Sequence, residues 1–232
     1  MLPLKDDQPR FSTPFVTYFL IAANTLVFLF QLSMSPRAQR IFDFQFGLVP
    51  ANFTAFFQPH SHIAADAALL PLLTSMFLHG GWLHIISNMW VLLIFGDNVE
   101  DHLGHGLYLG FYLLGGVTGG LVHVLFNLSS TLPTVGASGA IAAIMGAYFV
   151  LYPRGRVLTL VPFLFVFFLW LPAWVVLGYW FVVQFLSGAA SAISQAGTAG
   201  GVAVWAHVGG FIFGLALIRL FPSRTRRYRF GA

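Results

Sequence analysis

The chain of 232 residues has no cysteine, which excludes disulfides, thiolate metal sites and a cysteine nucleophile. Charge is nearly as scarce: Asp, Glu, Lys and Arg make up 8% of the residues. A surface so poor in charge does not suit a water-soluble domain. The seven carboxylates (Asp6, Asp7, Asp43, Asp66, Asp97, Glu100 and Asp101) all lie outside the long apolar runs or at their ends. With no carboxylate inside a run and no internal repeat, a transporter reading has little to stand on. The net charge of +4 does not mark a nucleic-acid partner either. Arg219, Arg224, Arg226, Arg227 and Arg229 crowd beside the last apolar run, a placement that suits an anionic lipid surface and the control of topology.

What the chain has in excess is hydrocarbon. Hydrophobic residues make up 58% and the mean hydropathy is +0.82, the composition of an integral membrane protein. Apolar runs at 15–32, 83–95, 107–126, 138–152, 171–186 and 202–221 predict an all-α polytopic bundle of six transmembrane helices. The domain layout follows: an N-terminal segment 1–14, a membrane domain 15–221 whose loop 33–69 lies at the interface, and a basic tail 222–232. Stretch 157–170 is apolar enough to span, but Pro162 and Pro172 disfavour a helix interior, so it is expected to be interfacial or re-entrant. Six spans put Lys5, Arg10, Arg154, Arg156 and the C-terminal arginines on one side, leaving Arg37 and Arg40 on the other. The expected location is the bacterial cytoplasmic membrane, with both termini cytoplasmic.

Within this apolar chain a few polar residues recur at one depth. Ser138, in Gly136-Ala137-Ser138-Gly139, opens the fourth run, and His207 lies near the start of the sixth. His84 and Asn88 are four residues apart on one face of the second. If six spans alternate in direction, the second, fourth and sixth all enter from the outer side, bringing these four residues to a common level. The fourth run rises only about 22 Å against roughly 30 Å of hydrocarbon, so Ser138 should lie in a recess open to the outer side. Gly139, Ala143 and Ala147 form a small-residue stripe on one helix, and Ala206, Gly210 and Gly214 form another. If the stripes pack together, Ser138 and His207 come within hydrogen-bond reach. A hydroxyl and an imidazole in hydrocarbon have the chemistry of nucleophile and general base. With no carboxylate placed to orient His207, a Ser–His dyad is expected, its imidazole oriented by packing.

His79-Gly80-Gly81-Trp82-Leu83-His84, Asn88, the segment Gly96-Asp97-Asn98-Val99-Glu100-Asp101 after the second run, Gly136-Ala137-Ser138-Gly139 and His207-Val208-Gly209-Gly210 together resemble the rhomboid family of intramembrane serine proteases. The resemblance implies Ser138 as nucleophile and His207 as base. It implies an oxyanion held by His84, Asn88 and the Ser138 backbone N–H, with Gly210 and Gly214 as packing glycines. It implies no cofactor or metal, and single-span membrane proteins as substrates. Two positions depart from the pattern: Leu70-Pro71 stands where many members carry Trp-Arg, and Ala142 where some carry a tyrosine stacked on the histidine. His79 is read as a loop-fixing donor and His123 as structural. His102 and His105, with Asp101, are read as a solvated turn, and His60 and His62 as loop residues able to hold a metal only adventitiously. The rival readings are a haem-binding electron carrier and a catalytically inactive client-binding relative. Three intramembrane histidines that do not form two pairs argue against the first, and the presence of both Ser138 and His207 against the second.

Overall fold

A computed structural model describes residues 1–163, 165–194 and 203–222. The chain runs β1 (Leu2–Asp6), α1 (Phe15–Leu32), α2 (Pro36–Phe46), α3 (Pro50–Phe56), α4 (Ala65–Leu69), α5 (Pro71–Thr74), a 3-10 turn (Ser75–Phe77), α6 (Trp82–Leu103), α7 (His105–Phe126), α8 (Ser138–Leu151), β2 (Arg156–Phe163), β3 (Phe165–Pro172), α9 (Ala173–Ser194) and α10 (Val204–Leu217). The protein is mostly helical. By length and composition, α1, α7 and residues Ala173–Ala190 can each cross a membrane. A fourth candidate is the pair Ala65–Phe77 and Trp82–Leu103, bent by 76° at the break before Trp82. The two remaining long helices, α8 and α10, are apolar but only 14 residues each. Arg224, Arg226, Arg227 and Arg229, and Val202 at the start of the expected last span, lie outside the described residues.

The core is built around α8. Gly139 to Tyr148 are buried without interruption, which explains why this helix is apolar all round. Its closest partner is α10, and backbone meets backbone there. A Cβ added at Gly210 would fall well inside contact distance of the Gly139 carbonyl, and one at Gly214 would strike the Ala143 carbonyl. Gly146 meets the Phe211 carbonyl in the same way from the other helix. Gly139 itself differs: a methyl there would sit 3.5 Å from the Ala206 carbonyl, an ordinary contact. Its part in the packing is the approach of its carbonyl to Gly210, not its missing side chain.

Three expectations from the sequence are corrected. First, the fold is not all-α. Across the stretch expected to be interfacial or re-entrant, Arg156–Phe163 and Phe165–Pro172 pair as the antiparallel strands β2 and β3, and β1 from the N-terminal segment adds a third strand, Leu2 opposite Leu160 and Asp6 opposite Val157. Valines, Thr159 and phenylalanines favour the pleated conformation. Pro162 is tolerated because β1 pairs only as far as Leu160, so no partner on that side needs its missing N–H. The indole of Trp90 donates to the Pro3 carbonyl at 2.8 Å and Tyr148 Oη donates to Asp6 at 2.5 Å, so the strand lies against the helices. Burial pushes the Asp6 carboxyl above its usual range.

Second, Gly96 to Asp101 do not follow the second long helix but complete it, since α6 continues to Leu103. Glu100 is fully buried there and accepts from the Val16 N–H at 2.9 Å, the Thr17 N–H at 2.8 Å and the Thr17 hydroxyl at 2.7 Å. It thereby satisfies the N-terminal donors of α1, which has no side-chain cap of its own. Asp101 accepts from the Phe11 N–H and the Ser12 hydroxyl. His105 lies 2.6 Å from Glu100, so the expected solvated turn is a partly buried polar joint. Gly104, at φ +78°, turns the chain from α6 into α7 with no intervening loop, a conformation that favours glycine.

Third, much of 33–69 is helical. Ser35 caps α2 by accepting from the Ala38 N–H, and Pro36 and Pro50 occupy first-turn positions of α2 and α3. The bridge between Leu48 and Thr134 ties this region to the segment that precedes Ser138.

Candidate active site

Ser138 is the first residue of α8, and no side chain caps that helix end. Its first N–H groups therefore have no intrahelical acceptor and carry the positive end of the helix dipole. The segment leading into it is pinned on two sides: Gly136 N–H donates to the Ser75 carbonyl at 2.8 Å, and Thr134 pairs with Leu48. Gly136 has φ +128°, and a Cβ there would lie 2.7 Å from the His84 ring. Glycine at this position thus serves both the backbone turn and the approach of His84 to the start of α8.

A cavity of about 790 Å³ opens over this point, lined by Ser138, His207, His84, Asn88, His123 and Trp180 among others. The four polar residues singled out in the sequence, from three helices, thus share one recess. Each is oriented by neighbours. His84 Nδ1 accepts the Gly80 N–H at 3.4 Å, a long bond that leaves Nε2 as the ring donor beside Gly136. Asn88 Nδ2 donates to His79 Nε2 at 3.1 Å, which leaves the ring proton of His79 on Nδ1. The His79 backbone N–H donates to Gln31 Oε1 at 3.0 Å, and Gln31 Nε2 donates to Asp43 at 2.9 Å. Burial pushes the Asp43 carboxyl up, and the Gln31 hydrogen bond opposes the shift. A chain of polar contacts therefore runs from α2 through the end of α1 to Asn88. Gln31 was not singled out by the sequence reading.

His207 is 6% exposed. Its Nδ1 lies 2.9 Å from Gln184 Oε1, and the Trp180 ring is 5.6 Å away at 36°. Trp180 and Gln184, one turn apart on α9, are thus partners of the imidazole in a chain that has Ala142 where some members carry a tyrosine. Orientation by packing alone is therefore a correction: the imidazole has a hydrogen-bonded partner as well as an aromatic one. The hydrogen bond expected between Ser138 and His207 is not formed, since His207 Nε2 makes none. The two residues line the same cavity without that bond, a looseness common at sites without substrate. His123 Nε2 lies 3.0 Å from the Thr134 hydroxyl, in keeping with a structural role. Among the described residues, no group of three or more His, Asp or Glu is arranged to hold a metal ion.

A Rhomboid domain family model matches residues 66–224. The mitochondrial presenilin-associated rhomboid-like protein of Mus musculus is 30% identical over 205 residues, covering 84% of this chain and 46% of the mouse protein. The corresponding protein A of Danio rerio is 30% identical over 165 residues, 67% of this chain and 38% of the relative. RHOMBOID-like protein 6, mitochondrial, of Arabidopsis thaliana is 40% identical over 76 residues, 33% of this chain and 24% of the relative. The chain spans less than half the length of these relatives. Their names place them in mitochondria and lend no support to the expected bacterial cytoplasmic membrane. Together with the apolar helices they support an integral membrane protein.

Proposed function

Since the chain belongs to the rhomboid family, we propose that it is an intramembrane serine endopeptidase that hydrolyses peptide bonds in or near the transmembrane segments of single-span proteins. One observation carries this reading: a hydroxyl at a helix N-terminus, an imidazole and two further side-chain donors line a single recess in an apolar bundle. The Ser138 hydroxyl attacks the scissile carbonyl carbon while His207 Nε2 takes its proton. Negative charge on the carbonyl oxygen is met by His84 Nε2–H, Asn88 Nδ2–H and the N–H of Ser138. His207 returns the proton to the leaving amine, leaving an acyl-enzyme. A water then attacks the ester with His207 again as base, releasing the acid and restoring Ser138.

Its membrane placement is read as six crossings: α1, α6, α7, α8, α9 and α10. The short α8 is compatible with this because its whole middle is buried by protein. The cavity then opens toward the outer side, and the N-terminus and basic tail lie opposite.

The geometry favours substrates that unwind. A regular helix hides its carbonyls in its own hydrogen bonds, and opening it in lipid is costly. A reporter carrying one transmembrane segment with Gly or Pro near its outer end should be cut there, as mapped by mass spectrometry. Changing those helix breakers to Leu should suppress cleavage. Equal cutting of both reporters, or a cut at the opposite end, rules the reading of substrate selection out.

His84→Ala and Asn88→Ala should slow turnover without ending it. Loss of one oxyanion donor costs about 100- to 1,000-fold in kcat. Wild-type kcat in both variants, measured on the same reporter, is the result that removes them from the oxyanion site.

A further inference from the structure

Among the described residues, the polar contact of the His207 ring comes from a neutral side chain on α9, and this has chemical content. Gln184 Oε1 can only accept, so a hydrogen bond at 2.9 Å places the ring proton on Nδ1. The remaining nitrogen, Nε2, then carries a lone pair, and His207 lines the cavity that holds Ser138. That is the tautomer a base needs to take a serine proton at Nε2; with the proton on Nε2, that nitrogen could only donate. In serine hydrolases with a Ser–His–Asp triad a carboxylate imposes this choice. Here, among the described residues, no Asp or Glu forms a hydrogen bond or ion pair with His207, and its titratable neighbours are His84 on α6 and His123 on α7. A carboxylate at this depth would be a buried charge needing a partner. An amide gives the same orientation at a smaller desolvation cost, while stabilising the imidazolium less. The Trp180 ring, one helical turn before Gln184, restricts tilting of the imidazole.

We propose that Gln184 is the positioning residue of this site, fixing the tautomer and direction of the His207 imidazole in the role a carboxylate has in a triad. The proposal rests on the hydrolase reading for its catalytic consequence, but not for its structural content. Two measurements separate them. In the Ser138→Ala protein, which needs no activity, nitrogen chemical shifts of His207 should report a proton on Nδ1. Adding Gln184→Leu should move the population toward the Nε2–H form. In the otherwise native protein, Gln184→Leu should lower kcat by about 10- to 100-fold with KM little changed, in the range typical of residues that orient a reacting side chain. Gln184→Glu should keep much of the activity at higher pH and move the acidic limb of the kcat profile upward, because a carboxylate favours the imidazolium. A residue that only filled space would leave that limb in place.

An unchanged tautomer in the Leu variant, a Leu variant with wild-type kcat, or an unmoved limb in the Glu variant would overturn the proposal. If the tautomer responds but Ser138→Ala retains turnover, the hydrolase reading fails while the positioning role stands. Thermal unfolding of the Leu and Glu variants guards against misfolding. Loss of activity in both through a lost fold counts against positioning and for a packing role.

Discussion

Ser138→Ala should abolish cleavage of a transmembrane reporter, and His207→Ala should do the same. The drop should exceed about 10⁴-fold, because nucleophile and base act as one unit and losing either removes the covalent route. The double variant should be scarcely worse than either single one, since effects within such a unit do not add. A fluorophosphonate supplies an independent readout. It should label the native protein in detergent, fail to label Ser138→Ala, and label His207→Ala far more slowly. Substantial turnover by either single variant would end the dyad assignment. So would labelling of Ser138→Ala, because the reactive hydroxyl would then lie elsewhere.

The second large effect is expected at the seam between α8 and α10. Gly210→Val places branched carbon against the Gly139 carbonyl, a backbone atom that cannot rotate away. Overpacking of this kind costs about 1–3 kcal/mol when side chains can yield, and here the helix itself must shift. The shift moves His207, three residues before Gly210 on the same helix. Melting temperature and kcat should therefore fall together, as thermal unfolding and the reporter assay would register. Gly214→Val should behave alike, through the Ala143 carbonyl. Gly139→Ala is the contrast, because its methyl makes ordinary contacts at 3.5 and 3.6 Å. A stable, fully active Gly210→Val protein would be incompatible with the observed backbone contact.

What could be read from the sequence, and what could not, follows physical lines. Ser138, His84, Asn88 and His207 stood out because polar groups in apolar runs demand partners, and recognisable spacings surround them. Gln184 is equally polar and equally enclosed by apolar sequence, yet it belongs to no motif. Its partner lies 23 positions away on another helix. The same rule that marked His207 could have marked it: a buried amide in an apolar helix needs a hydrogen bond, so its presence is a question about its partner. Gln31 was passed over for the same reason.

The acidic end of α6 shows the converse error. The apolar run stops at Phe95, although the helix continues through Glu100 and Asp101. These two carboxylates are buried because they satisfy α1 and the segment before it, which come from more than 80 positions earlier in the chain. Nothing local reveals such pairing. The sheet was missed differently. Pro162 and Pro172 were used correctly against a helix, but a strand was not weighed, because apolar runs of this length carry no alternation to mark one. Its third strand is supplied from the opposite end of the chain, beyond the reach of any window.

That third strand sets an order of events during synthesis. Leu2 to Asp6 leave the ribosome long before their partners, which extend from Val157 to Leu160. At about 5–20 residues per second, translation takes roughly 8–30 seconds to reach those partners. For that interval the N-terminal segment has no sheet to join, while α1, α6 and α7 can already be inserted and the Glu100 carboxylate can already meet the start of α1. Closure of the sheet thus comes after α1, α6, α7 and α8 have been made. The nascent protein must keep Leu2 to Asp6 unpaired, and out of competing strands, until Val157 to Leu160 have emerged.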